Sequence, residues 1–179
     1  MVEPGARAEV PVVAAPAPWR RVLLAAVGGL VGVGFGVSPE DGRDLVLVMS
    51  HSGRGLYDAV TGELLAREET PESSWPEADL SCHGIGPLTG LRVPTAGLVG
   101  GTLGRATGDG WSLTVVRLGG LEEQVLLSAD GDRCAGPHGG TWWHLHDADA
   151  TELRAVGFSL SGHTLAVATT ADLTLWARP

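Results

Sequence analysis

The C-terminal stretch, residues 154–179, reads RAVGFSLSGHTLAVATTADLTLWARP. It contains three short apolar runs, at residues 155–159, 164–170 and 172–178, and turn-forming residues separate each run from the next. Short runs rich in Val, Leu, Thr and Trp, with turn signals between them, predict strands of an antiparallel meander. We therefore expect this end of the chain to form three neighbouring strands of one sheet.

A similar pattern occurs near the N-terminus, and the two copies predict a structural repeat. The first copy begins with Val33-Gly34-Phe35 and passes through a turn at Gly42 before its next apolar run. The second copy begins with Val156-Gly157-Phe158, and Gly162 takes the place of Gly42 in its turn. Each copy continues with a second and a third apolar run. The two segments therefore predict units with the same local fold.

This pattern resembles a blade of the WD40-type β-propeller family. Such a blade has a strand, a turn similar to Ser-Pro-Asp-Gly, a second apolar strand and a third strand that ends in an aromatic residue. The turn from Asp58 through Thr61 and Gly62 to Glu63 is similar to the family's common Asp-x-x-Thr-Gly-Glu turn. The resemblance implies four-stranded antiparallel blades, and domains of this family mostly serve as protein-binding platforms.

The predicted fold is all-β, with a flexible leader at residues 1–18 and a single domain at residues 19–179. Strand signals fall into about three groups of four, as in a small β-propeller-like array of four-stranded antiparallel blades. The C-terminal group has only three strands of its own, and residues 20–27 can supply the fourth. The N-terminal strand would then join the C-terminal blade and close the array without an open sheet edge. A β-trefoil, which also arranges its strands in three groups of four, is the alternative.

The middle of the chain carries weaker strand signals. Candidate strands lie at residues 96–103, 111–118, 123–128 and 141–147. Propellers usually have four or more blades. Either the polar segment at residues 69–95 contains a degenerate blade, or several chains combine.

Residues 22–37 carry no charge and follow Arg20 and Arg21, a pattern shared by signal peptides and short membrane spans. Several glycines in the run disfavour a helix, and the pair Gly28-Gly29 is suited to a turn between two buried strands. In the part that follows, glycines alternate with apolar residues, which predicts close approach of strands near a crowded axis. We therefore predict a cytoplasmic protein, with export as the alternative if residues 20–37 are a signal or anchor.

The net charge of −9 disfavours nucleic acid and anionic membranes as partners, because both repel an acidic protein. The chain contains no lysine, so lysine-dependent phosphate loops and Schiff-base chemistry are excluded. It contains no asparagine either, and the combined bias is typical of a high-GC bacterial genome. We recognise no catalytic motif and predict no cofactor and no catalytic residue.

A possible metal site lies at residues 141–147, TWWHLHD. On a regular strand His144 and His146 share one face, and a His-x-His pair is a common half of a metal site. Two imidazoles of an edge strand facing solvent are the alternative interpretation. The third ligand would have to be one of five residues: Cys82, His83, Cys134, His138 or Asp147. The two cysteines are predicted to be thiols, with a single disulfide as the alternative.

Tryptophan carries most of the aromatic content and supplies candidate binding residues. Trp75 lies in a polar segment, where it either fills space beneath a loop or anchors a partner. Trp142 and Trp143 place one ring on each face of a strand. These residues favour a non-catalytic protein–protein interaction or scaffold module that binds another protein or itself. The alternatives are a metal-dependent enzyme using His144 and His146, or a carbohydrate-binding module using exposed tryptophan.

Overall fold

A computed structural model describes residues 11–70, 75–119, 122–129, 142–148 and 151–179. Within these ranges, fourteen strands form four antiparallel sheets and there is no α-helix. The all-β prediction is therefore confirmed. No helix in the described ranges has the length and apolarity needed to cross a membrane.

The C-terminal strands form a four-stranded sheet together with the N-terminal strand. Its members are β1 (Arg20–Ala26), β12 (Leu153–Phe158), β13 (Thr164–Thr169) and β14 (Asp172–Ala177), in the order β1-β14-β13-β12. Strand β1 runs antiparallel to β14, with Leu24 opposite Thr174. The three predicted C-terminal strands and their completion by the N-terminal strand are thus confirmed.

The first repeat copy forms the core of a five-stranded sheet. Its members are β2 (Leu30–Val37), β3 (Asp44–Ser50), β4 (Gly53–Asp58), β5 (Leu64–Glu68) and β8 (Ala96–Gly97), in the order β5-β4-β3-β2-β8. The turn between β1 and β2 contains Gly29, whose φ of 67° is favoured only by glycine. Two strands joined by a turn are therefore the correct interpretation of residues 22–37, but only β2 is buried, since every residue of β1 is half-buried or exposed.

The middle of the chain differs from the prediction. It forms a two-stranded sheet of β6 (Ser81–His83) and β7 (Arg92–Pro94), and a three-stranded sheet of β9 (Ser112–Gly119), β10 (Glu122–Ser128) and β11 (Trp142–Asp147), in the order β11-β10-β9. The predicted strand at 96–103 is wrong beyond Gly97, because Gly100 and Gly101 adopt positive φ and turn the chain. Residues 69–95 do contain an additional small sheet.

The expectation of about three four-stranded groups is not confirmed. The described sheets have four, three, five and two strands. The described strands form no closed ring or barrel, so the propeller and the trefoil both stay predictions.

Part of the predicted leader packs on the domain. The Val13 backbone N–H donates a hydrogen bond to the carbonyl oxygen of His144 on β11, at 2.9 Å. Ala15 packs against a core cluster that also contains Trp19. Residues 11–18 thus belong with the sheets, whereas residues 1–10 lie outside the described ranges.

The four sheets stack as layers with an apolar core cluster at each of three interfaces. Strand β3 explains the pattern, because its run Asp44–Met49 is buried throughout. Val46 and Val48 face the C-terminal sheet, while Leu45 and Leu47 face the β6–β7 sheet. The other face of the C-terminal sheet packs on the β9–β11 sheet. The resulting order is β9–β11, C-terminal sheet, five-stranded sheet, β6–β7.

Glycines on β2 and β12 permit very close backbone approach. A methyl group on Gly34 would lie 2.3 Å from the carbonyl oxygen of Pro94, and one on Gly157 would lie 2.2 Å from Cβ of Leu103. Both distances are far below van der Waals contact. The predicted role of the glycines on β2 is therefore confirmed, and Gly157 has the same role in the second copy.

A buried carboxylate joins the two repeat copies. Asp44, at the start of β3, accepts hydrogen bonds from the hydroxyls of Ser161 (2.6 Å) and Thr164 (3.0 Å). Thr164 begins β13, the strand that corresponds to β3 in the second copy. Because buried polar groups require such partners, this cluster holds the start of β3 against the start of β13 and so fixes how the two sheets pack.

Candidate functional site

A β-bulge in β11 separates the two histidines of the predicted metal site. His144 lies opposite Leu126 and His146 lies opposite Val125, with Leu145 as the extra residue. Successive residues of β10 point to opposite faces, and paired residues share a face. His144 and His146 therefore lie on opposite faces, and the expectation that they share one is wrong.

His144 is fully buried, and its imidazole is engaged within the protein. Its Nε2–H donates a hydrogen bond to the carbonyl oxygen of His146 at 3.0 Å. That nitrogen is then occupied and does not present a lone pair to a metal ion. Among the described side chains, no group of three or more His, Cys, Asp or Glu residues could hold a metal.

The other predicted ligands do not gather around β11. Cys82 and His83 lie on β6, in the layer at the opposite end of the stack, where Cys82 is buried in the core. Asp147 ends β11 and is exposed. Cys134 and His138 lie outside the described residues, so the thiol prediction for Cys134 also falls there.

Trp143 belongs to the core rather than to a surface. Its ring lies 6.1 Å from that of Trp111, which in turn meets the edge of Trp19 at 5.8 Å. Trp143 packs against the cluster between the β9–β11 sheet and the C-terminal sheet. Trp142 points to the opposite face and is half-buried. Neither ring is among the exposed large hydrophobic side chains.

Trp75 is the predicted binding residue that the structure leaves accessible, with 43% of its surface exposed. Its ring lies against His51, with centroids 5.7 Å apart. The backbone N–H of His51 donates a hydrogen bond to the carbonyl oxygen of Gly29, and that of Leu98 donates to the carbonyl oxygen of Val31. His51 and Leu98 therefore both lie at the N-terminal end of β2. Leu98 and its neighbour Val99 are also exposed. We call the surface of Trp75, His51, Leu98 and Val99 the Trp75 rim.

A second surface was not predicted from the sequence. A groove of about 410 Å³ lies between β9 and β12, and three arginines, Arg105, Arg117 and Arg154, line it. A signal for it was present, since Arg105 is the only charged residue between Arg92 and Asp109. We call this surface the β9/β12 groove.

The carboxyl groups with shifted pKa values are poor proton donors. Hydrogen bonds from Arg178 and Thr107 hold the pKa of Asp109 far below its usual range. The pKa of Glu77 is lowered chiefly by Arg92, and that of Asp79 chiefly by Ser81. These groups are ionised at neutral pH and do not supply a general acid.

Comparison with protein-family models, with curated proteins and with solved structures finds no match. The features of the described residues that bear on function are the Trp75 rim, the β9/β12 groove and the order of the sheets.

Proposed function

We propose that this chain is a non-catalytic protein-interaction or scaffold module with a propeller-like arrangement of sheets. Two observations support a propeller-like arrangement: the layered order of the sheets and the completion of the C-terminal sheet by β1. The blade-like repeat in the sequence supports it as well. In such an arrangement, turns at the ends of the strands present side chains to a partner.

The exposed indole of Trp75 is the observation that carries the proposal. A large apolar ring in contact with water gains free energy when a partner covers it. Tryptophan is enriched among the residues that contribute most to protein–protein binding. The exposed Leu98 and Val99 extend the apolar surface at the same end of β2. The partner is another protein or a second copy of this chain.

Replacing Trp75 by alanine is expected to weaken partner binding by about tenfold or more, because the central apolar contact is removed. The test captures partners on the immobilised full chain from cells that express it, identifies them by mass spectrometry and measures each affinity by calorimetry. Self-association is measured in parallel by analytical ultracentrifugation.

Leu160→Ala supplies the matched control. Leu160 is 97% exposed, so the substitution also removes an exposed apolar side chain. It lies in the turn beside Asp44, at the opposite end of β3 from His51. We expect Leu160→Ala to bind normally. Equal affinities for Trp75→Ala and the unaltered chain, with every partner and in self-association, would contradict the proposal.

A further inference from the structure

The β9/β12 groove has a cationic lining in an acidic protein. Three arginines and one carboxylate, that of Glu123, contribute to it, whereas the chain as a whole carries a net charge of −9. The groove is therefore a local exception to the charge of the molecule.

Two of the three arginines are already paired. The Arg117 Nε donates to Glu123 Oε1 at 2.7 Å. Arg154 lies 2.9 Å from a carboxylate oxygen of Glu152 and also donates to the carbonyl oxygen of Leu30. The positive charges of Arg117 and Arg154 are thus compensated within the fold.

The Arg105 side chain has no hydrogen bond or ion pair with any described residue. Its backbone is nevertheless held on both sides. The carbonyl of Arg105 accepts from Leu113 N–H at 2.8 Å, and that of Gly104 accepts from Phe158 N–H at 2.7 Å. A guanidinium without a partner therefore extends from a fixed point between two sheets.

The surroundings of Arg105 favour an anionic ligand. Arg105 is exposed, but neighbouring atoms remove part of the hydration of its charged form and so lower its pKa. The guanidinium remains protonated near neutral pH, because its ordinary pKa is so high. A carboxylate could restore the lost interactions through two parallel hydrogen bonds.

The remaining lining of the groove is apolar. Val115 and Leu153 are half-buried beside the arginines, whereas Ala155 and Val156 are buried in the core. An inorganic anion would leave Val115 and Leu153 uncovered. A peptide segment that alternates acidic and apolar residues would satisfy both parts of the lining.

We infer that the β9/β12 groove binds an acidic, partly apolar peptide segment of a protein partner, with a carboxylate of that segment paired to Arg105. This inference rests on the proposed interaction function and names the chemistry of one partner segment.

The test uses a fluorescein-labelled peptide of alternating glutamate and valine, blocked at both ends, and measures fluorescence anisotropy with the full chain. We expect saturable binding that weakens with added salt and falls about tenfold in Arg105→Gln, since a charge-assisted hydrogen-bonded pair is lost. Arg67→Gln is the matched control. It changes the net charge equally and removes an arginine that is 62% exposed and far from the groove, on β5. This control should bind as the unaltered chain does.

Three results would overturn the inference. They are equal binding by Arg105→Gln, equal binding of a peptide with glutamine in place of glutamate, and full displacement of the peptide by inorganic phosphate at equal concentration. The Trp75→Ala experiment remains separate. If the groove binds no peptide but Trp75→Ala loses a partner, only the groove inference fails. If the peptide binds and Trp75→Ala keeps every partner, only the proposal that the Trp75 rim binds a partner fails.

Discussion

Replacing Gly34 or Gly157 by alanine is expected to lower the free energy of unfolding by about 3 kcal/mol, near the upper end of the usual range for overpacked sites. The added methyl on Gly34 would meet the carbonyl oxygen of Pro94, and also Val93 Cγ1 at 2.8 Å. The added methyl on Gly157 would meet Leu103 and the carbonyl oxygen of Gly104, the latter at 2.7 Å. Backbone on both sides of the contact must shift, and flexible side chains cannot absorb the clash. Urea unfolding followed by circular dichroism measures the loss.

Gly28→Ala is the control for this experiment. No atom lies within 4 Å of the added methyl, and Gly28 does not have the positive φ of its neighbour Gly29. We expect unchanged or slightly raised stability, because alanine restricts the unfolded chain more than glycine does. Loss of less than about 0.5 kcal/mol in both Gly34→Ala and Gly157→Ala, the level typical of neutral surface changes, would contradict the close approach.

Replacing Arg54 by methionine is expected to lower the free energy of unfolding by about 2 kcal/mol. Arg54 is only 7% exposed, and its Nε donates to Glu68 Oε2 at 2.9 Å, with a second, short bond from Nη2 to the same oxygen. Its Nη1 donates to the carbonyl oxygen of His83 at 2.6 Å and also contacts the Cys82 sulfur. Methionine keeps much of the apolar stem but leaves these acceptors without their donor.

The charge of Arg54 is maintained despite its burial. Burial alone lowers the pKa of this residue, but the hydrogen bonds with Glu68 and Cys82 outweigh it, and the pKa is raised. The expected loss is kept below that of a fully buried pair, because Glu68 is 39% exposed and water can solvate it once Arg54 is gone.

Arg67→Met provides the comparison for Arg54→Met, and the change should be within about 0.5 kcal/mol, as for other exposed positions. Thermal and urea unfolding of both variants measure the difference. Amide hydrogen exchange should also show faster exchange in β6 of Arg54→Met, because Arg54 joins β4 to that strand. Equal stability of the two variants would mean that the buried guanidinium does not hold the β6–β7 sheet in place.

The repeat-bearing parts of the fold could be predicted from sequence because local and tertiary signals agree there. The second apolar run of the first repeat copy forms β3, and the three C-terminal runs match β12, β13 and β14 closely. In these segments, apolar residues face cores on both sides and turn glycines such as Gly42 and Gly162 mark the ends. Completion of the C-terminal sheet by β1 could be predicted because the C-terminal group has only three strands of its own, which leaves one edge of a four-stranded blade to be filled.

The middle of the chain could not be predicted in this way. Ala96–Gly97 pairs with β2 for only two residues, and tertiary contact rather than local propensity decides where that pairing ends. The small β6–β7 sheet depends on side chains far away in sequence, among them Arg54. Period-two patterns do not contain that information.

The candidate sites show the same division. The period of a regular strand places His144 and His146 together, but a single bulge at Leu145 reverses the second imidazole, and no sequence signal marks that bulge. Trp75 is exposed, in agreement with one of the two interpretations of a tryptophan in a polar segment, and its role in binding stays a prediction. The isolated charge of Arg105 was a signal, but it did not predict the groove, because only the packing of β9 on β12 brings Arg105 together with Arg117 and Arg154.

The layered arrangement depends most directly on β1 completing the C-terminal sheet. Nuclear Overhauser contacts between backbone protons of the isotope-labelled full chain test that pairing without any substitution. We expect contacts in antiparallel register, with Leu24 opposite Thr174 and Ala25 opposite Leu173. Absence of contacts between these strands, with signals of a disordered or helical segment for residues 20–26, would contradict it.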